Sequence, residues 1–124
     1  MKFTNTDKAP AAVGPYSQAV AVNGLLFTSG QIALDPATGE VVGANVQEQA
    51  EQVMKNLGAV LEANGLTYTD AVKTTCFLAD MNDFAPFNEV YGKYFTSKPA
   101  RSCVAVKTLP KNVLCEVEVI ALMK

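Results

Sequence analysis

Histidine is absent from this 124-residue chain, and no other feature removes so much chemistry. Without an imidazole there is no Ser-His-Asp or Cys-His nucleophile and no His-bearing metal site. Any proton transfer must run through carboxylates, tyrosine, hydroxyls, backbone groups or water. There is no P-loop, no G-x-G-x-x-G run and no lysine in a recognisable cofactor motif, so a chemistry without cofactor or metal is favoured. Basic excess is missing too: a net charge of −2 and a pI near 5.0 leave no electrostatic footprint for nucleic acid. No apolar run approaches the roughly 18 residues of a membrane span. The opening Met1–Asp7 lacks the apolar segment of a secretory signal, which points to the cytoplasm. The three cysteines, Cys76, Cys103 and Cys115, are odd in number and show no C-x-x-C spacing. They read as reduced thiols. Internal repeats, low-complexity tracts and linkers are likewise absent.

What is present is a rather apolar chain, 49% hydrophobic against 18% charged, which implies one globular domain over residues 1–124. Asn23-Gly24 demands a two-residue type I′ hairpin between strands at Tyr16–Val22 and Leu25–Ser29. Gly30 then ends the second strand where the backbone bends or something approaches closely. A short strand is expected around Lys2–Asn5 and an edge strand at Glu40–Val42. Asn45, with Glu48 three residues on, starts a helix whose apolar positions Val46, Ala50, Val53, Leu57, Val60 and Leu61 recur at helical spacing. Asn64-Gly65 closes it. Ala71–Ala79 reads as a strand with Val72, Cys76 and Leu78 on one face, and Ala71, Phe77 and Ala79 on the other. Asp83 is expected to cap a second helix bearing Phe84, Phe87, Val90, Tyr91, Tyr94 and Phe95. Two further strands are expected, one from Arg101 and one over Leu114–Leu122, joined by a loop at Leu109–Asn112. The sum is an α+β sheet with two helices on one face. Strands apolar on both faces imply that other subunits cover the second face, in a closed homo-oligomer.

The stretch Pro99-Ala100-Arg101-Ser102-Cys103-Val104 carries the most chemistry. Proline biases Lys98 toward an extended backbone. If Val104 and Val106 face the core with Ser102, then Arg101, Cys103 and Ala105 point the other way. A guanidinium at a strand mouth presents a fork that matches a carboxylate, or it pairs with a nearby Asp or Glu for structural reasons. Glu116 and Glu118 share one face of the last strand with Leu114, Ile120 and Leu122. Carboxylates among apolar residues need a reason: a general acid/base or water-positioning role, a salt bridge, or an exposed edge. Tyr16 after Gly14-Pro15 reaches a pocket or serves as a core tyrosine. Ser29-Gly30-Gln31 exposes a hydroxyl and backbone N–H groups, or is ordinary turn chemistry. Cys103 has no histidine to activate it, and Asn88 is a ligand or a helix-packing amide.

Together, Gly14-Pro15-Tyr16-Ser17-Gln18-Ala19, Ser29-Gly30-Gln31-Ile32, Asn88, Pro99–Val104 and Glu116-Val117-Glu118 resemble the RidA (YjgF/YER057c/UK) family across essentially the whole chain. The resemblance implies a chorismate-mutase-like α+β fold, a homotrimer with clefts between adjacent subunits, and deamination of reactive enamines and imines. By similarity, Arg101 holds the substrate carboxylate, and Glu116 with the backbone carbonyl of Cys103 positions the attacking water. Tyr16 and Ser29 line the cleft, with Gly30 and Asn88 nearby. The implied substrates are 2-aminoacrylate and 2-aminocrotonate or their imines, released by pyridoxal-phosphate-dependent dehydratases, with no cofactor in the deaminase itself. Thr96-Ser97-Lys98 looks shorter than the corresponding loop in many relatives. Rival readings are a small-carboxylate-binding regulator, an RNase or translation inhibitor, and a redox-activated holdase.

Overall fold

A computed structural model describes residues 1–124. The strands are β1 (Lys2–Thr4), β2 (Ala19–Val22), β3 (Leu25–Thr28), β4 (Ala71–Leu78), β5 (Ala100–Ala105) and β6 (Cys115–Leu122). Two helices, α1 (Val46–Glu62) and α2 (Phe84–Tyr94), flank β4 in sequence. The sheet order is β1-β2-β3-β6-β4-β5, and only the β4–β5 pair is parallel, joined through α2. Both helices lie on one face, the α+β arrangement expected from the sequence. No helix is long and apolar enough to cross a membrane.

Local chemistry accounts for the best-defined elements. Asn23 (φ 52°) and Gly24 (φ 79°) form the hairpin turn that sets Val22 opposite Leu25. At the start of α1, Asn45 Oδ1 accepts from Glu48 N at 2.9 Å, and Glu48 Oε1 accepts from Ala44 N at 2.8 Å. Leu66 N donates to Leu61 O at 3.0 Å across Gly65 (φ 73°), which stops the helix. The face between these caps buries Val53, Met54, Leu57, Val60 and Leu61 against the buried side of β6, where Val117, Val119 and Ala121 point. Each such large side chain contributes about 1.5–3 kcal/mol by leaving water.

Several strand boundaries and faces differ from the sequence expectation. Tyr16, Ser17 and Gln18 stay outside β2 because their polar groups are used elsewhere: Tyr16 N bonds back to Gly14 O, and the Ser17 and Gln18 carbonyls both serve Ser29. Val72 does not share a face with Cys76 and Leu78. A register shift between Ala71 and Lys73 sends it outward, 47% exposed, and turns Ala71 to the core. The faces of β5 are also reversed. Parallel pairing sets Arg101 beside Thr74 and Cys103 beside Cys76, both on the helix side, so Val104 lies on the open face, 45% exposed. Lys98 is not extended. Its N–H closes a turn onto Phe95 O, and its φ is +55°. Asp83 precedes α2 without a side-chain cap bond; Asp80 instead caps the short turn before it. Val41 makes a single bridge to Leu34 rather than an edge strand, and Pro110–Asn112 is a 3₁₀ turn rather than a plain loop.

The other face of the sheet carries no helix. Phe27, Val104 and Leu122 are exposed there, with Phe77 half-buried among them. Glu116 and Glu118 stand in the same apolar field, in register with Phe77 and Thr75.

Candidate active site

The predicted residues fall into two groups. Tyr16, Ser29, Gly30 and Glu116 line one cavity of about 450 Å³, together with Lys111 and the N-terminal loop at Pro10. Ser29 is fixed at the end of β3: its N–H donates to Gln18 O at 2.9 Å and its hydroxyl to Ser17 O at 2.6 Å. One residue later Gln31 rejoins β6 through paired bonds with Val117 at 2.9 and 3.1 Å. Gly30, between these two anchors, makes no N–H bond within the chain. The Glu116 side chain lies directly over it. A β-carbon at Gly30 would meet Glu116 Cδ at 2.9 Å and Cγ at 3.0 Å. The Glu116 carboxyl is half-buried, and its pKa is raised above 4.5, first by burial and then by the charge of Glu118.

The walls of this cavity depend on amides that the sequence reading left without a role. Gln18 is buried; its Oε1 accepts from Thr6 N at 2.7 Å and its Nε2 donates to Thr6 O and Pro10 O, each at 2.9 Å. That ties the N-terminal loop over the site. Asn56, on the buried face of α1, donates to Ile32 O at 3.1 Å and Leu34 O at 2.9 Å. The sequence signal for Asn56 was a polar residue between Val53 and Val60 on an apolar helical face.

Arg101 and Asn88 line a second cavity, also about 450 Å³, between the end of α2 and β5. Arg101 is the only arginine in the chain. Its Nη1 donates to Asn88 Oδ1 at 2.7 Å, and its guanidinium carbon sits 4.7 Å from the Tyr91 ring centre and 5.4 Å from that of Phe84. Tyr91 is held in turn by a 2.7 Å bond between its hydroxyl and Thr74. The ion pairs of the chain are Lys93–Glu51 and Lys124–Asp70, so no carboxylate neutralises Arg101. The structural salt bridge that would have explained this arginine away is absent. A guanidinium oriented by two rings and one amide, with no carboxylate paired to it, has the chemistry to take an external anion. Cys103, two residues on, has its thiol pKa raised by burial, an effect partly opposed by Arg101. Cys76 alongside is pushed up to about 12 by burial and by Cys103. Neither is an activated nucleophile.

Within one chain the two groups do not meet. Arg101 pairs across Thr74 to Val119 on the helix side, whereas Glu116 pairs across Phe77 to Val104 on the open side. One strand, β4, and the thickness of the sheet lie between them.

The chain is thus an α+β protein with both helices on one face of a six-stranded mixed sheet, carrying an arginine in no ion pair and a separate glycine-facing glutamate. The chain belongs to the RidA (YjgF) family: the Ribonuc_L-PSP family, described as Endoribonuclease L-PSP, matches residues 6–123. It is 56% identical over 126 residues to a RutC family protein of Synechocystis, covering 99% of this chain and 97% of that one. It is 49% identical over 122 residues to the human 2-iminobutanoate/2-iminopropanoate deaminase, covering 98% and 89%. The crystal structure of E. coli TdcF with bound serine superimposes with a TM-score of 0.94 at 45% identity, covering 100% of both chains.

Proposed function

We propose that the protein is a deaminase of reactive 2-imino acids and their enamine tautomers, working in clefts between adjacent copies of a homotrimer. The observation that carries this is the separation of an unneutralised Arg101 from Glu116 on opposite faces of one chain. Both become parts of one site when a second copy brings its Glu116 group against the Arg101 group. The exposed apolar sheet face supplies surface for such contact. The bound serine of TdcF and the deaminase relatives support a small carboxylate-bearing ligand.

In this reading Arg101, oriented by Asn88 and the Tyr91 ring, binds the substrate carboxylate bidentately. The free N–H of Gly30 and the Ser29 and Tyr16 hydroxyls line the other side. Glu116, with the Cys103 carbonyl as second acceptor, holds one water against C2 of the imine. Water adds to the C=N carbon while Glu116 takes a proton, giving a carbinolamine. The same carboxyl returns the proton to nitrogen, the C–N bond breaks as the carbinolamine hydroxyl gives its proton to the Glu116 carboxylate, and a 2-keto acid leaves with ammonia, which carries that proton away as ammonium. These imines also hydrolyse unaided, so anchoring the anion and orienting water is a large part of what is required. Pyridoxal-phosphate-dependent dehydratases acting on serine and threonine are the class of reaction that supplies 2-aminoacrylate and 2-aminocrotonate. The acidic balance of the chain disfavours the ribonuclease reading.

The test is semicarbazide trapping of the imine generated from threonine by a dehydratase. Wild-type protein is expected to lower semicarbazone formation and speed keto-acid release, and Arg101→Ala to do neither. No effect from folded wild type would leave a carboxylate-binding protein as the better account.

A further inference from the structure

The cavity beside Arg101 holds a second cation. Lys98 lines it, as do Asn88, Thr96 and Pro99, and no acidic side chain does. Lys98 makes no ion pair, and neither does Arg101. In a chain of net charge −2, this cavity is therefore locally positive by two unneutralised charges. The backbone that places Lys98 is unusual. Its φ of +55° is left-handed, and the residue directly precedes Pro99, where steric contact with the proline ring already narrows the choices. A non-glycine residue held there is under strain that its surroundings must overcome. What holds it is the turn closed by Lys98 N–H on Phe95 O at 3.2 Å, which brings the chain from the end of α2 straight into β5 at Ala100. That turn, over Thr96–Lys98, puts a lysine at the rim of the Arg101 cavity.

We propose that Lys98 forms a second anion subsite beside Arg101, so that the site accepts 2-imino acids carrying a second carboxylate, and binds such dianions more tightly than monocarboxylates. As a statement about substrates this rests on the deaminase reading; as a statement about ligands it does not. Arg101 takes one carboxylate through its planar fork, and the ammonium of Lys98, a mobile point charge, takes the other. The energetic scale is that of one charge-assisted contact near a surface, about three- to tenfold in affinity.

The experiment is calorimetric binding of two stable probes, 2-oxoglutarate and 2-oxobutanoate, to wild type, Lys98→Gly and Lys98→Glu, at two salt concentrations. Glycine suits the left-handed backbone, so Lys98→Gly is expected to fold at least as well as wild type. Wild type should prefer 2-oxoglutarate, with the preference shrinking in high salt. Lys98→Gly should lose about three- to tenfold for 2-oxoglutarate and less than twofold for 2-oxobutanoate, and Lys98→Glu should lose more. Equal affinities in wild type, equal losses for both probes, or no binding of either would overturn the subsite. So would a variant that melts lower with unchanged selectivity, since Lys98 would then only be neutralising the carboxyl end of α2. Semicarbazide trapping run in parallel separates the two readings. A Lys98-dependent probe preference without imine consumption would sink the deaminase and keep the subsite, and the reverse result would do the opposite.

Discussion

The carboxyl group of Glu116 occupies the space that a side chain at Gly30 would need, with Cδ only 2.9 Å from the ideal β-carbon position. The glycine is required there by a neighbour rather than by a turn, since its φ is not in the left-handed region. The contact is with the movable end of a side chain. Gly30→Ala should therefore fold, with a stability change of about 1 kcal/mol or less, but with the Glu116 carboxylate swung aside. Imine hydrolysis should fall by at least roughly tenfold if Glu116 holds the water. Thermal melts beside the trapping assay check both halves.

Glu116 also has a signature in stability. Its folded-state pKa is raised, so the native protein holds this proton more tightly than the unfolded chain does. The resulting stabilisation is complete below about pH 4.5 and is lost as pH rises through the shifted value. Glu116→Gln should thus melt higher than wild type at pH 7, with the gap closing in acid, while deamination is abolished and 2-oxobutanoate binding is spared. Because Glu118 is the second cause of the shift, Glu118→Gln should move the acid limb of the pH–rate profile to lower pH.

Arg101 depends on what surrounds it. Tyr91→Leu removes the ring 4.7 Å from its guanidinium, and KM for the imine should rise more than kcat falls. Tyr91→Phe keeps the ring but orphans the buried Thr74 hydroxyl. It should cost about 1–3 kcal/mol of stability with KM near wild type. If both variants behave alike in KM, the ring is not what positions the arginine.

A site shared between copies makes a prediction that a single-chain site does not. Arg101→Ala and Glu116→Gln proteins should each be inactive. After subunit exchange, a one-to-one mixture should regain activity at about a quarter of its sites, those that combine one intact half from each parent. Absence of any recovery in verified mixed oligomers would place the whole site within one chain.

Asn56 offers a test remote from the chemistry. Asn56→Leu leaves the Ile32 and Leu34 carbonyls without their α1 donor, and a loss of roughly 1–3 kcal/mol is expected. The cavity wall loosens with it, so activity should fall in step with stability and recover partly on cooling.

The sequence was most informative where short-range chemistry decides the outcome. The Asn23-Gly24 hairpin, the Asn45 cap and the apolar face of α1 follow from turn geometry, capping bonds and a 3.6-residue period, each local to a few residues. It was least informative about which way the edge strand faces. Val104 looks like core in isolation, but the parallel register with β4 sets Arg101 and Cys103 on the helix side. The bulge at Val72 reversed another face for the same reason: a one-residue slip inverts a strand.

Residue types and their order along the chain were therefore enough to name the family resemblance, to exclude imidazole chemistry and to pick out Arg101, Glu116, Ser29 and Gly30. Only the tertiary structure decided that Arg101 is left unpaired beside two aromatic rings, that Glu116 rests on Gly30, and that the two lie on opposite faces of one sheet. The reason is physical. Composition and period are set by neighbours in the chain, whereas a charge's partner and a strand's face are set by pairing across tens of residues, which no local pattern encodes.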